Sequence, residues 1–164
     1  SSGPSAIPAS ARSAQTLGRT NAMTLPFEYQ NASLEFERFM VDARELAGLS
    51  TTNMAWNMVV GVLHTFRRRL SVDEALRFAA VLPPVLRALF IEDWQPVQPV
   101  AAFGTNDELL AEVRSLRAEH NFSPPNAIQA VAGALRKHVD LAALERVLST
   151  LPAEAQRFWS AEAA

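Results

Sequence analysis

The second half of this 164-residue chain repeats the first. Sliding residues 125–159 back by 69 positions lays Asn126 on Asn57 and Trp159 on Phe90. The same shift lays Ile128, Val131, Ala132 and Leu135 on Val59, Val62, Leu63 and Phe66, and Leu151-Pro152 on Leu82-Pro83. Two copies of one helical unit can each supply the apolar face that the other needs to cover. The expected fold is therefore all-α, about eight helices arranged as an internal duplication of a four-helix unit in a compact helical bundle.

Helical spacing and punctuation place the elements. Ser33 is read as the cap of a first helix carrying Phe36, Phe39, Met40 and Ala43 on one face and ending near Gly48. A second helix follows Ser50-Thr51-Thr52 and holds no charged side chain from Thr51 to Phe66, so it must be buried on most sides. Ser71 with Glu74 forms a capping box for a third helix. Pro83-Pro84 stops that helix and opens a short fourth one running to about Ile91. In the second copy, Asn106 is read as the cap of a helix reaching His120, aligned at an offset of 73, so that four residues are missing from the turn after it. A helix uncharged through Leu135 follows, then one capped by Asp140 and a last one opened by Pro152. The organisation expected is a single helical domain over 23–164, with half one at 33–94, a linker at 95–104 and half two at 105–160. Gly61, Ala130 and Gly133 are the places where backbones are expected to approach closely.

Residues 1–22 contribute Arg12 and Arg19 and no acid. They are read as a disordered tail, a vector-derived remnant or upstream extension in preference to a targeting peptide, with the working chain starting near Met23. Without those two arginines the body carries 13 basic against 17 acidic groups, which argues against broad electrostatic binding to nucleic acid or anionic lipid. The uncharged helix is too short and too polar for a membrane span. The absence of cysteine excludes disulfides, thiolate catalysis and cysteine-ligated zinc, and suits a cytoplasmic location.

Chemistry-bearing groups are few. His64 stands alone on the uncharged helix, where imidazole serves as a base, ligand or pH switch, or simply as a hydrogen-bonded core residue. His120 and His138 are read as helix-end residues complementing the dipole. No Glu-x-x-His pair, nucleophile motif or phosphate loop is present, so no catalytic residue, metal or cofactor is assigned. Glu108 and Glu112 read as part of a solvated stripe. The run Arg67-Arg68-Arg69 could clamp phosphates or an acidic patch; the competing reading is a solvated helix end neutralised by Asp73 and Glu74. Phe27, Tyr29, Trp94 and Phe103 flank Pro-rich segments, where they plug the ends of the bundle or form an aromatic groove.

The string PFEYQNASLEFERFMVDARELAGLSTTN, followed by VLHTFRRRLSVDEALRFAAVLPPVLRALFIEDW and later by RAEHNFSPPNAI and LPAEAQRFW, resembles the bacterial family catalogued as domain of unknown function 2267. The resemblance spans about residues 25–160. It implies a small all-helical bacterial protein beginning near Met23, and it carries over no reaction and no catalytic residue.

Taken with the residues, this points to a non-enzymatic interaction or regulatory module. Its surfaces would be Arg67, Arg68 and Arg69, or the aromatic linker with Trp94 and Phe103, and its partner a protein. A nucleic-acid-associated regulator using the arginine cluster is the first alternative. A small-ligand carrier or helical enzyme around His64 is the second, and requires His64 to line an accessible cavity. Homo-oligomerisation is compatible with either.

Overall fold

A segment as long as Thr51–Phe66 without a charge has to be surrounded, and the helix built from it stands at the centre of the fold. A computed structural model describes Gly3 and residues 25–161; the expectation for residues 1–22 therefore lies, Gly3 aside, outside the described residues. Among the described residues there are nine α-helices and no strand. The ninth, beyond the eight expected, is α1 (Phe27–Gln30), a single turn opened by Pro26, whose carbonyl accepts from the amides of Tyr29 and Gln30. It belongs to a first unit ending at Gln30 and has no buried residue, Phe27 and Tyr29 being exposed.

The second unit, from Asn31 onward, holds the other eight helices. These are α2 (Ala32–Ala47), α3 (Thr52–Arg67), α4 (Val72–Ala79), α5 (Pro84–Ile91), α6 (Asn106–Ser115), α7 (Ala127–His138), α8 (Leu141–Leu148) and α9 (Ala153–Phe158). Local chemistry sets most of their ends. Thr51 accepts from the amide of Met54, and Ser71 and Glu74 form the expected capping box. A second box, not anticipated, pairs Thr105 with Glu108, so the cap of α6 is Thr105 rather than Asn106. Likewise the cap of α2 is Asn31, two residues before Ser33. Gly48 closes α2 in the left-handed region with φ of 70°.

The largest departure from expectation is the end of α6, which stops at Ser115 instead of reaching His120. Asn121 supplies the reason. Its amide nitrogen donates to the carbonyls of Val113 and Leu116, both at 2.8 Å, and so satisfies acceptors that a further helical turn would otherwise have used.

Packing crosses between the two halves. Helix α2 lies against α7, α3 against α6, and α4 against α8, while α3 also touches α2, α5 and α7. Gly61 permits the α3–α6 approach, since a β-carbon there would sit 2.6 Å from the carbonyl oxygen of Val113. Gly133 instead faces the Leu46 side chain of α2. The glycines thus serve contacts with the partner half's first helix, not a direct seam between the two uncharged helices.

At one end the core is aromatic. Phe66, Phe78, Phe90 and Trp159 are almost wholly buried. Phe90 and Trp159, residues that the 69-position shift superposes, both pack on Phe78 with ring centroids 5.3 Å away, the first edge-on and the second stacked.

Candidate functional site

Helix α3 ends in the three consecutive arginines, and the structure sends each one somewhere different. Adjacent helical positions point about 100° apart, so this divergence is geometric. Arg67 turns inward and is only 7% exposed. Its Nη1 donates to the carbonyls of Phe90 and Glu92, both at 2.8 Å, serving acceptors left over where α5 ends. The guanidinium also lies 5.9 Å from the centroid of the Trp94 ring. Arg68 points outward and pairs with Glu112 of α6. Arg69 is buried; it donates to the Thr65 carbonyl at 2.8 Å and to the Phe103 carbonyl at 3.4 Å, and pairs with Glu112 at 2.5 Å.

This arrangement corrects the solvated-end reading. Asp73 pairs with Arg77, and Glu74 is committed to its capping box. The neutralising group is Glu112, which reaches two guanidiniums at once and is not part of a solvated stripe. Arg87 donates to the carbonyls of Ala79 and Leu82 near the end of α4.

One cleft of about 370 Å³ opens beside this helix end. Its walls are Gly61, His64, Arg67 and Arg68 from α3 and its cap, Asp93, Trp94, Pro96 and Pro99 from the segment leaving α5, and Glu112 with Leu116 from α6 and the turn after it. The segment is held down by its backbone, the Ala101 amide donating to the Arg68 carbonyl at 2.9 Å. Asp93, at φ 54°, turns the chain out of α5 toward Trp94.

His64 faces the cleft from one turn before Arg67. Its Nε2 lies 2.9 Å from the Leu89 carbonyl, an acceptor only, so Nε2 carries the proton and Nδ1 is left as the acceptor of a neutral ring. Burial pulls its pKa below the ordinary imidazole value, and the neighbouring Arg67 charge acts in the same direction; the Leu89 bond opposes both. Burial likewise lowers the pKa of Arg67, against the pull of Asp93.

Of the residues singled out from sequence, His64, Arg67, Arg68 and Trp94 line this cleft together. Arg69 and Phe103 do not. Phe103 lies 6.4 Å from Phe66, ring to ring, and lines a second cavity of about 270 Å³ with Leu109, Ile128 and Phe158. Sequence reasoning missed Asp93, Glu112 and a separate cluster in which His138 of α7 meets Asp42 at 2.6 Å and Glu35 at 3.7 Å, both on α2. Nothing local marks that cluster, because Asp42 and His138 are 96 residues apart. Among the described residues no group of three or more potential ligands is placed to hold a metal. No helix there is long and apolar enough to cross a membrane.

A family model described as "Uncharacterized conserved protein (DUF2267)" matches residues 36–158. The chain belongs to this family. The matched span of DUF2267 runs from α2 to the last residue of α9 and contains every wall of the cleft. No curated protein matches the sequence.

Proposed function

We propose that this DUF2267 chain is a non-enzymatic helical interaction module that takes a protein partner at the cleft between α3, α6 and the Asp93–Pro99 segment. The observation carrying this reading is the convergence of His64, Arg67, Arg68 and Trp94 on one opening. Several of their polar groups are spent on shape. The Leu89, Phe90 and Glu92 carbonyls and the Glu112 carboxylate hold His64, Arg67 and Arg68 in place, which suits a preformed binding face better than proton transfer. The cysteine-free composition suits a reducing compartment, and we place the module in the bacterial cytoplasm. Crosswise packing of α2 on α7 and α3 on α6 supports the duplicated-unit reading, in which each half covers the other.

Immobilised full-length chain, exposed to bacterial lysate with and without nuclease, tests the proposal alongside Trp94→Ala and Arg68→Ala. A protein retained by the wild type, indifferent to nuclease and lost from both variants, is the expected result. Loss on nuclease treatment would transfer the face to nucleic acid. That alternative is disfavoured by Arg69 being buried and Arg68 being paired, which leaves few guanidiniums to track phosphates. Retention that ignores both variants would remove the cleft from the interface.

A small-ligand carrier around His64 is the second reading. It is favoured by one fact: His64 lines a cavity whose volume falls within the range of small-molecule sites.

A further inference from the structure

Among the described residues, the guanidinium of Arg67 is buried and only partly compensated. The residue is only 7% exposed, yet no carboxylate stands within ion-pairing distance of it among the described residues. Its Nη1 serves two carbonyls, while Nε is sealed from solvent with no acceptor. Nη2 donates to no described residue. Nε and Nη2 together form the side-on edge through which arginine grips a carboxylate with two parallel bonds. A buried cation with that edge unspent is costly unless an anion completes it.

We propose that the cleft binds a carboxylate group, with the Nε–Nη2 edge of Arg67 as its anchor and His64 and Trp94 as the walls beside it. The inference rests on the cleft being the binding face. Trp94 already covers one side of the guanidinium, and Pro96 and Pro99 offer apolar surface for whatever carries the carboxylate. A carboxylate fits better than a phosphate because Asp93 and Glu112 line the same cleft and penalise a second negative charge. Asp93 is exposed and acts on Arg67 only at a distance, so it competes with the ligand without occupying the edge. Because Nε is sealed from solvent, binding through the full edge includes an opening that uncovers it.

The test is an NMR titration of the full chain, following the Trp94 indole and His64 ring signals. The probes are benzoate, benzamide, inorganic phosphate, and a short peptide prepared with a free and with an amidated C-terminus. Saturable shifts with benzoate or the free-acid peptide, absent with the matching amide and weaker with phosphate, are expected. Arg67→Lys should weaken binding roughly tenfold by losing the paired bonds. Asp93→Asn, which keeps a residue tolerant of positive φ, should tighten binding by a few fold. Should Arg67→Lys fail to fold, Asp93→Asn carries the test. Equal shifts with the amides, stronger binding of phosphate, or an Asp93→Asn variant that binds no tighter would each overturn the proposal. Response to benzoate but not to the peptide would uphold the carboxylate site and remove its protein partner. Silence from every carboxylate, with the nuclease-resistant partner still captured, would leave the module standing and remove this chemistry.

Discussion

Asn57 and Asn126 make the same bond in opposite directions across the molecule. Asn57 donates from Nδ2 to the carbonyl of His120, beyond the end of α6, at 3.2 Å; Asn126 donates from Nδ2 to the carbonyl of Leu46, at the end of α2, at 3.1 Å. Each amide thus ties the first half of one uncharged helix, or its cap, to the end of the other half's first helix or the turn beyond it. Their environments differ, since Asn57 is buried and Asn126 is exposed.

Removing these amides should therefore have unequal effects. Asn57→Ala removes a buried amide and breaks a part-buried bond to the carbonyl of His120, and is expected to cost about 1–2 kcal/mol. Asn126→Ala exposes its carbonyl to water and should cost below about 1 kcal/mol. Urea unfolding followed by helical circular dichroism measures both, and equal losses would contradict the difference in burial.

A second contrast lies in the glycines of α3 and α7. An alanine at Gly61 would place its methyl 2.6 Å from the Val113 carbonyl oxygen, a backbone atom that cannot step aside without moving α6. Gly61→Ala should cost about 1–3 kcal/mol. At Gly133 the obstacle is only the Leu46 side-chain methyl at 3.2 Å, and alanine gains up to about 1 kcal/mol of helix propensity. Gly133→Ala should be neutral or stabilising in the same unfolding assay.

What could be read in advance follows from the range of the interactions. The capping box at Ser71, the opening of α5 at Pro83-Pro84 and the uncharged run of α3 rest on local sequence, and each appears where the sequence puts it, although α4 ends at Ala79, ahead of the prolines expected to stop it. His64, Arg67 and Arg68 stand about one turn apart, yet the sequence reading keeps the imidazole and the arginines as separate candidates, and only the fold brings them to one cleft. Glu112 could not be read in advance, because only the folded chain shows that its carboxylate meets guanidiniums 43 and 44 positions away. The early end of α6 belongs to the same class, since it depends on where the Asn121 side chain turns back.

That partition of the arginines is measurable. Arg68 is about half exposed, and its pair with Glu112 should be worth no more than about 1 kcal/mol, so Arg68→Ala changes stability little. Arg69 is buried against the same carboxylate and also satisfies the Thr65 carbonyl. Arg69→Ala should cost about 1–3 kcal/mol, because it strands the Thr65 carbonyl inside while Glu112 keeps Arg68. Parallel unfolding curves of the two variants check the ranking, and similar midpoints would restore the picture of a solvated helix end.

His64 should give the fold a component of acid sensitivity. Its folded pKa lies below the ordinary value of about 6.5, so as pH falls the unfolded chain takes up the proton first. Stability therefore rises with pH between the folded pKa and about 6.5, and the His64 contribution present above that window is lost on descending through it. Below the folded pKa the loss levels off, since both states are then protonated. Replacing His64 with Gln keeps a donor for the Leu89 carbonyl and removes the titration. The difference in unfolding free energy between wild type and His64→Gln should shrink as pH is lowered from about 8 to about 5, while carboxylates common to both cancel. The His64 ring signals should titrate with a midpoint below about 6.5 in the same preparation. A wild-type and variant pair whose pH profiles run parallel, or a ring midpoint above that value, would show that burial and the Arg67 charge do not govern this imidazole.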